Sequence, residues 1–347
     1  MAITPDTFRI ARRYRQHIRD LTDEQVLELT RRWVEAWDEL SIDLDQVFRE
    51  VAAQHVSTGI TPQGLARDDR IVYSVIQVRD RLGELIAEAH PRVAGEIRGI
   101  MTGGISNLED QWQSQLPRGW RPPEGSLRAF QVTTEETLDW MVQRSSGSIL
   151  SRLRPIPDDQ AEVMRRNLFR GIAEGANPRA VARRMMQHTR GAFDGGLARA
   201  ATIARTEMID AHRAATQAHR QRNDIVTGWV WTATLDHRVC MSCLDLHGTM
   251  FPKDQFGPED HPNGRCVAVD KLESWADLGI DLPELDDHTE DAREWFEGLT
   301  EETQLQIMGP SRFEAWQNGD VGWGRFAERR ENTDWRPYYI QRPVKDL

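Results

Sequence analysis

Cysteine is scarce in this chain, with only three among 347 residues. Long apolar runs are missing as well, since none reaches the roughly 18 residues that a membrane-spanning helix needs. The opening sequence MAITPDTFRIARRYRQ lacks the apolar block of a signal peptide. We therefore expect no membrane association and a chain kept in a reducing cytoplasm, where thiols are free groups or metal ligands rather than disulfide partners.

Familiar catalytic motifs are also missing. The sequence has no HExxH, GxSxG, P-loop or GxGxxG pattern, which excludes the standard hydrolase, NTPase and dinucleotide sites. The net charge of −11 lies mostly in Lys271 to Gln304, where two basic and twelve acidic residues give −10. This acidity disfavours nucleic-acid binding by bulk charge. We interpret the acidic segment as a solvated helix-and-loop surface, the alternative being a docking surface for a basic partner.

Helical spacing dominates the first two thirds of the chain. The stretch Thr22-Asp-Glu-Gln25 fits a capping box and predicts that a helix begins there, and a second helical region covers about 64–98. Proline and glycine at 114–126 predict a hinge. Small residues then recur at helical spacing and predict a helix that others approach closely: Ala201, Ala204, Met208, Ala211, Ala215 and Ala218.

The pattern changes to strands at about Val226. Trp229 to Thr234 is aromatic and β-branched, and short strand-like pieces recur at Thr249–Phe251 and Cys266–Val269. We predict an α+β fold, mainly α, in which a long helical amino-terminal region precedes a small antiparallel β module. Its predicted parts are a helical arm (1–113), the hinge (114–126), a helical core (127–225), and the β module with the acidic segment and a tryptophan-rich carboxyl-terminal return (226–347).

All three cysteines fall inside the window that forms this β module. Zinc takes four tetrahedral thiolate and imidazole ligands, and a C-x2-C pair supplies two of them from one loop. The predicted zinc ligands are Cys240, Cys243, His261 and Cys266, with His247 and His237 as rivals of His261. A metal clip would compensate for the small core of a short sheet. The alternatives are thiols packed as small hydrophobes, or a catalytic thiol.

Four charged residues flank the cysteines in two short motifs. Arg205-Thr-Glu207 lies on the alanine-rich helix, and Asp236-His-Arg238 follows the tryptophan-rich strand. Buried charges need partners, so we predict that Arg205, Glu207, Asp236 and Arg238 form a structural polar network where the helix meets the sheet. The alternative is an active site in which Glu207 and Asp236 act as acid, base or metal ligands.

The order of these motifs resembles the phage head morphogenesis family, the Mu F-like minor head proteins. The resemblance covers about 155 to 270, with a further likeness in a tail segment. The motifs are Phe169–Gly175, Val181–Met185, Ala204-Arg-Thr-Glu207, Trp231, Asp236-x-Arg-x-Cys-x-x-Cys243 with Gly248, His261-Pro-Asn-x-Arg-Cys266, and the tail Gln304 to Gly319. The family typically has Cys-Arg-Cys after His-Pro-Asn, whereas this chain has Gly264 at the first of those positions.

The resemblance implies a non-enzymatic minor capsid protein, located inside the phage head near the portal and in the host cytoplasm during assembly. Its implied partners are the portal protein and the major capsid or scaffolding protein, with contact to packaged DNA. Its implied roles are head assembly and genome packaging or DNA ejection. From the residues themselves, two enzyme readings stay open. One is a metal-dependent nuclease using His237, His247 and His261, and the other is a toxin-like transferase built around Arg205 and Glu207.

Overall fold

The computed structural model describes residues 2–55, 69–120, 138, 139, 142, 202, 205–332 and 336–347. The chain divides into two compact units. The first contains 1–20, 97–143 and 208–347, and the second contains 21–96 and 144–207. The family motifs at 169–185 and the predicted hinge beyond residue 120 lie outside the described residues. The predicted division into arm, hinge, helical core and β module stays a prediction.

Within the described residues, three long helical segments precede the sheet. They are α1 (Pro5–His55), α2 (Asp69–Gln115) and α3 (205–221). The expected helix start at Thr22 is wrong, because α1 runs through that residue from Pro5. An N-cap needs a non-helical backbone, and here the buried stripe of Phe8, Ala11 and Ile18 continues the helix upstream of Thr22. In α3, Met208, Ala211 and Ala215 are buried, as their spacing predicts.

A three-stranded antiparallel sheet follows α3, in the order β2-β1-β3. Its strands are β1 (Val226–Thr232), β2 (Met250–Pro252) and β3 (Val267–Leu272). The predicted α+β class with a small antiparallel sheet is confirmed. The cysteines are outside the strands, however: Cys240 and Cys243 lie in the β1–β2 connection, and Cys266 directly precedes β3.

Both faces of the central strand β1 are covered, which explains its nearly continuous apolar sequence. Trp229 and Trp231 pack into a core that includes aromatic residues of the carboxyl-terminal part of the chain. Val230 points to the other face and packs with Ile3 and Phe8. Residues close to the amino terminus therefore close one side of the sheet, and the carboxyl-terminal segment closes the other.

The carboxyl-terminal segment consists of short capped helices and a hairpin. The elements are α4 (Met241–Leu246), α5 (Ala292–Glu297), α6 (Glu301–Met308), α7 (Pro310–Gln317), β4 (Ala327–Arg330), β5 (Tyr338–Gln341) and a 3-10 turn at Val344–Asp346. Asp291 caps α5 through two backbone N–H groups. The Tyr339 ring meets Trp231 edge-on at 5.6 Å, so β5 packs on the three-stranded sheet.

The acidic segment between β3 and α5 is largely solvated, as residues 281–288 are exposed. It is fixed locally by an ion pair between Lys271 and Asp287 at 3.2 Å. Within the described part of the chain, no helix combines the length and the apolar character needed to cross a membrane.

Candidate metal centre

The paired cysteines lie at the start of the short helix α4. Cys240 is the N-cap residue with an extended backbone, and its carbonyl accepts from the N–H groups of Cys243 and Leu244 at 3.1 Å each. The C-x2-C spacing thus corresponds to one helical turn, which places both thiols on the same side. Cys243 is buried and Cys240 is partly exposed.

His261 reaches the two cysteines from the loop Asp260–Cys266, which leads into β3. The chain reverses direction over His261–Gly264, where the His261 carbonyl accepts from the Gly264 N–H at 2.9 Å and Asn263 adopts a positive φ of 61°. The His261 Nδ1 atom lies 2.9 Å from the Pro262 carbonyl, to which it donates. This hydrogen bond leaves Nε2 as the nitrogen available to a metal.

The donor atoms of Cys240, Cys243 and His261 all lie within 4.8 Å of one another. A zinc ion binds thiolate sulfur at about 2.3 Å and imidazole nitrogen at about 2.0–2.1 Å, so tetrahedral ligand atoms are roughly 3.5–3.8 Å apart. The upper limit of 4.8 Å on the observed separations is about 1 Å above these values, and the chemistry of two thiols and one imidazole is typical of structural zinc. These three residues therefore fit a zinc ion.

Cys266, the fourth predicted ligand, is buried just before β3. Interaction with its thiol is one of the causes that raise the pKa of Cys243, so Cys266 adjoins the other three residues without being one of the mutually close group. The complete set of four ligands stays a prediction.

The thiols and the imidazole shift one another's pKa values. A hydrogen bond from Cys243 and a second from His261 lower the pKa of Cys240 to about 4. Hydrogen bonding to Cys240 raises the pKa of His261 to about 9. Hydrogen bonds with Cys240 and Cys266 raise the pKa of Cys243. Without metal, Cys240 and His261 are thus a thiolate–imidazolium pair at neutral pH, and the thiolate is the form that binds a metal.

A family model matches residues 162–269, that of the phage Mu protein F like proteins. This segment is Mu F-like. The resemblance is thereby confirmed over residues 162–269, and the match supports a phage head-related protein. The likeness of the tail Gln304 to Gly319 lies outside the match and stays a prediction. The curated proteins and the solved structures that were compared gave no match. The paired cysteines and the His261 loop both lie inside the Mu F-like segment.

The rival histidines are outside the group of three. His247 Nδ1 accepts the Ala233 N–H at 3.0 Å, and burial lowers the pKa of this histidine, which favours its neutral form. His237 is exposed on the loop after β1. Of the three histidines in this part of the Mu F-like segment, the structure brings only His261 to the paired cysteines.

The hydrogen bonds found for residues of the predicted polar network belong to separate groups of contacts. Arg205 donates to Asp23 at 2.9 Å, and Glu207 is buried. Asp236 accepts from the Arg265 guanidinium at 2.5 and 2.7 Å and from the Arg238 N–H at 2.9 Å. The two guanidinium hydrogen bonds hold the pKa of Asp236 well below its usual range. One network of all four predicted residues stays a prediction.

Two buried arginines of α3 were missed from the sequence. Arg213 pairs with Asp260 at 2.7 Å, and Arg220 pairs with Asp270 of β3 at 2.6 Å, with all four side chains at most 3% exposed. The sequence did contain a signal for these two arginines, because residues seven positions apart lie on the same helix face. The second partner, Asp270, interrupts the otherwise apolar start of the strand VAVDKL.

Gly264, at the position where the family typically has cysteine, leaves no room for a side chain. A Cβ atom at residue 264 would lie 2.0 Å from the Asp260 carboxylate. That carboxylate is almost fully buried and held by Arg213, so it has little freedom to move. In this loop conformation, a side chain at residue 264 would overlap with the buried Asp260 carboxylate.

We expect Gly264→Ala to destabilise the protein by about 1–3 kcal/mol, the usual range for overpacking a filled site. Urea unfolding followed by tryptophan fluorescence measures this change. The control is Gly322→Ala, because a Cβ at Gly322 meets nothing within 4 Å. Equal stability of the two variants would contradict the steric argument.

Proposed function

We propose that this chain is a minor head protein of a tailed phage, associated with the portal and acting in head assembly and in genome packaging or delivery, without enzymatic activity. The observation that carries the proposal is the match of residues 162–269 to the phage Mu protein F like family. The proposed partners are the portal protein and the major capsid or scaffolding protein, with contact to packaged DNA inside the head.

The metal centre supports a structural role in this proposal. A structural zinc site is closed by four protein ligands, whereas a catalytic site keeps one position for water. With Cys266 beside Cys243, the chain has a buried thiol to complete the set of Cys240, Cys243 and His261. We propose that zinc at this site joins the β1–β2 connection to the loop before β3 and so stabilises the small sheet.

The second unit offers an apolar helix face for docking. Tyr73 and Ile76, one helical turn apart on α2, are 61% and 43% exposed, and Leu27 of α1 is 71% exposed. An apolar stripe at helical spacing suits docking into a partner's groove. We propose that the Tyr73 and Ile76 face contacts the portal.

Substitution of this face tests the portal contact better than truncation does. Removing residues 1–110 would also remove Ile3, Phe8 and Leu108 from the cores around the sheet, so lost binding could reflect lost folding. The double variant Tyr73→Asp/Ile76→Asp leaves those cores intact. Its control is Leu282→Asp/Leu285→Asp, which alters two exposed leucines of the acidic segment.

We expect wild-type protein and the control variant to co-sediment with purified portal rings, and the Tyr73/Ile76 double variant to lose most of this binding. Desolvating a buried charge opposes docking, which is why aspartate is the chosen substitute. Normal co-sedimentation of the double variant would show that this helix face is not the docking element. Wild-type protein that bound neither portal rings nor procapsids would contradict the proposed function.

A further inference from the structure

One buried guanidinium is attached to both ends of the loop that carries His261. Arg213 of α3 donates to the two carboxylate oxygens of Asp260 at 2.7 and 2.8 Å, and its Nη2 also donates to the Cys266 carbonyl at 2.9 Å. Asp260 directly precedes His261, and Cys266 ends the loop. The Asp260 carboxylate closes the ring by accepting the Cys266 N–H at 3.2 Å.

Further charges hold the guanidinium in this position. Arg213 also pairs with Asp210 at 3.0 Å. Arg336 donates to Asp210 at 2.8 and 3.0 Å and to the Asp260 carbonyl at 3.1 Å. The negative charges of the two carboxylates therefore equal the positive charges of the two guanidiniums. This pairing offsets the free-energy cost of burying the four groups. The shape of the His261 loop is thus set by contacts that do not involve a metal.

We propose that Arg213 is the positioning residue of the metal centre, acting through Asp260 and the Cys266 backbone to hold His261 beside the paired cysteines. This inference rests on the proposed zinc site. Arg213 touches no thiol or imidazole donor in the contacts described, so its effect is to preorganise the ligands. Partners that orient metal ligands typically change metal affinity by about 10–100-fold.

Lysine in place of Arg213 tests the role, because an ammonium keeps the charge but lacks the planar fork that spans a carboxylate and a carbonyl. The matched control is Arg220→Lys, since Arg220 is equally buried on the same helix and pairs with Asp270, which lies outside the His261 loop. Zinc affinity is measured by competition with a chromophoric chelator, and ligand geometry by the visible bands of the cobalt-substituted protein. Circular dichroism checks the folding of each variant.

We expect Arg213→Lys to bind zinc about 10–100-fold more weakly, with altered cobalt bands, and Arg220→Lys to keep wild-type affinity and bands despite lower stability. Should Arg213→Lys fail to fold, Asp260→Asn carries the same expectation, because it removes the charge that the guanidinium holds. Wild-type zinc affinity in the folded Arg213→Lys or Asp260→Asn variant would overturn the positioning role and leave the metal centre itself unaffected. Wild-type protein that binds no zinc overturns the metal centre and the positioning role with it.

Discussion

Replacing Cys243 with serine is expected to abolish zinc binding and to lower the melting temperature of the β module. Cys243 is the buried member of the pair, and its pKa is raised by interaction with the thiols of both Cys240 and Cys266. Structural zinc contributes apparent free energies of about 10–16 kcal/mol in small modules, comparable to the whole stability of a typical domain, about 5–15 kcal/mol. Elemental analysis measures the metal content, and thermal unfolding measures the loss of stability.

The control for this substitution is Met241→Leu, a volume-conserving change at a buried neighbour that is not a ligand. It should keep one zinc ion per chain and nearly the wild-type melting temperature. Treating wild-type protein with a chelator should reproduce the Cys243→Ser result, and added zinc should reverse it. Metal-free wild-type protein with undiminished thermal stability would contradict a stabilising metal centre.

Alkylation of the chelated protein, at a temperature below its unfolding transition, gives an independent check of the same site. With its pKa lowered to about 4, Cys240 is a thiolate at pH 6, where an ordinary thiol with a pKa of about 8.5 is mostly protonated. Iodoacetamide should therefore modify Cys240 at nearly the same rate at pH 6 and pH 8, and zinc should protect it. A rate that falls about tenfold per pH unit below 8, as for a free thiol, would contradict the thiolate–imidazolium pair.

Asp270→Ala is expected to cost about 3–5 kcal/mol, the range for breaking a fully buried ion pair. Asp270 accepts from Arg220 at 2.6 Å and from the Trp112 indole N–H at 2.9 Å, so its removal leaves a buried cation and a buried donor without this acceptor. Urea unfolding of the variant measures the cost.

The matched control is Asp287→Ala, which breaks the pair with Lys271, the residue after Asp270, where the two side chains are 39% and 32% exposed. Exposed pairs contribute about 0–1 kcal/mol, so this variant should stay close to wild type. If both aspartate variants lost equal stability, burial would not be the deciding factor, and the packing between α3 and β3 would need another explanation.

Local sequence signals were enough to predict the sheet and the ligand types. Alternating aromatic and β-branched residues mark β1, and the C-x2-C pair followed by His261 identifies the group that the fold assembles. Partners far apart in sequence were harder to predict. An arginine on a helix is usually exposed, so Arg213 and Arg220 show their role only when Asp260 and Asp270 are seen beside them.

The capping-box sequence at Thr22 failed for a related reason, because packing of upstream residues overrode a local preference. Tertiary contacts routinely dominate such preferences. The nearly continuous apolar sequence of β1 indicates burial on both faces, but the covering residues Ile3 and Phe8 come from more than 200 positions away. The sequence around Ile3 and Phe8 contains no signal that identifies β1 as the strand they cover.

That long separation has a consequence for the order of synthesis. Ile3 and Phe8 pack with Val267 and Val269 of β3, and the Ile3 carbonyl accepts from the His288 N–H at 3.0 Å. Ribosomes add about 5–20 residues per second, so roughly 13–52 s separate the emergence of Phe8 from that of Val267. During this interval these apolar side chains lack their final neighbours, so the nascent chain exposes aggregation-prone apolar surface until β3 has been made.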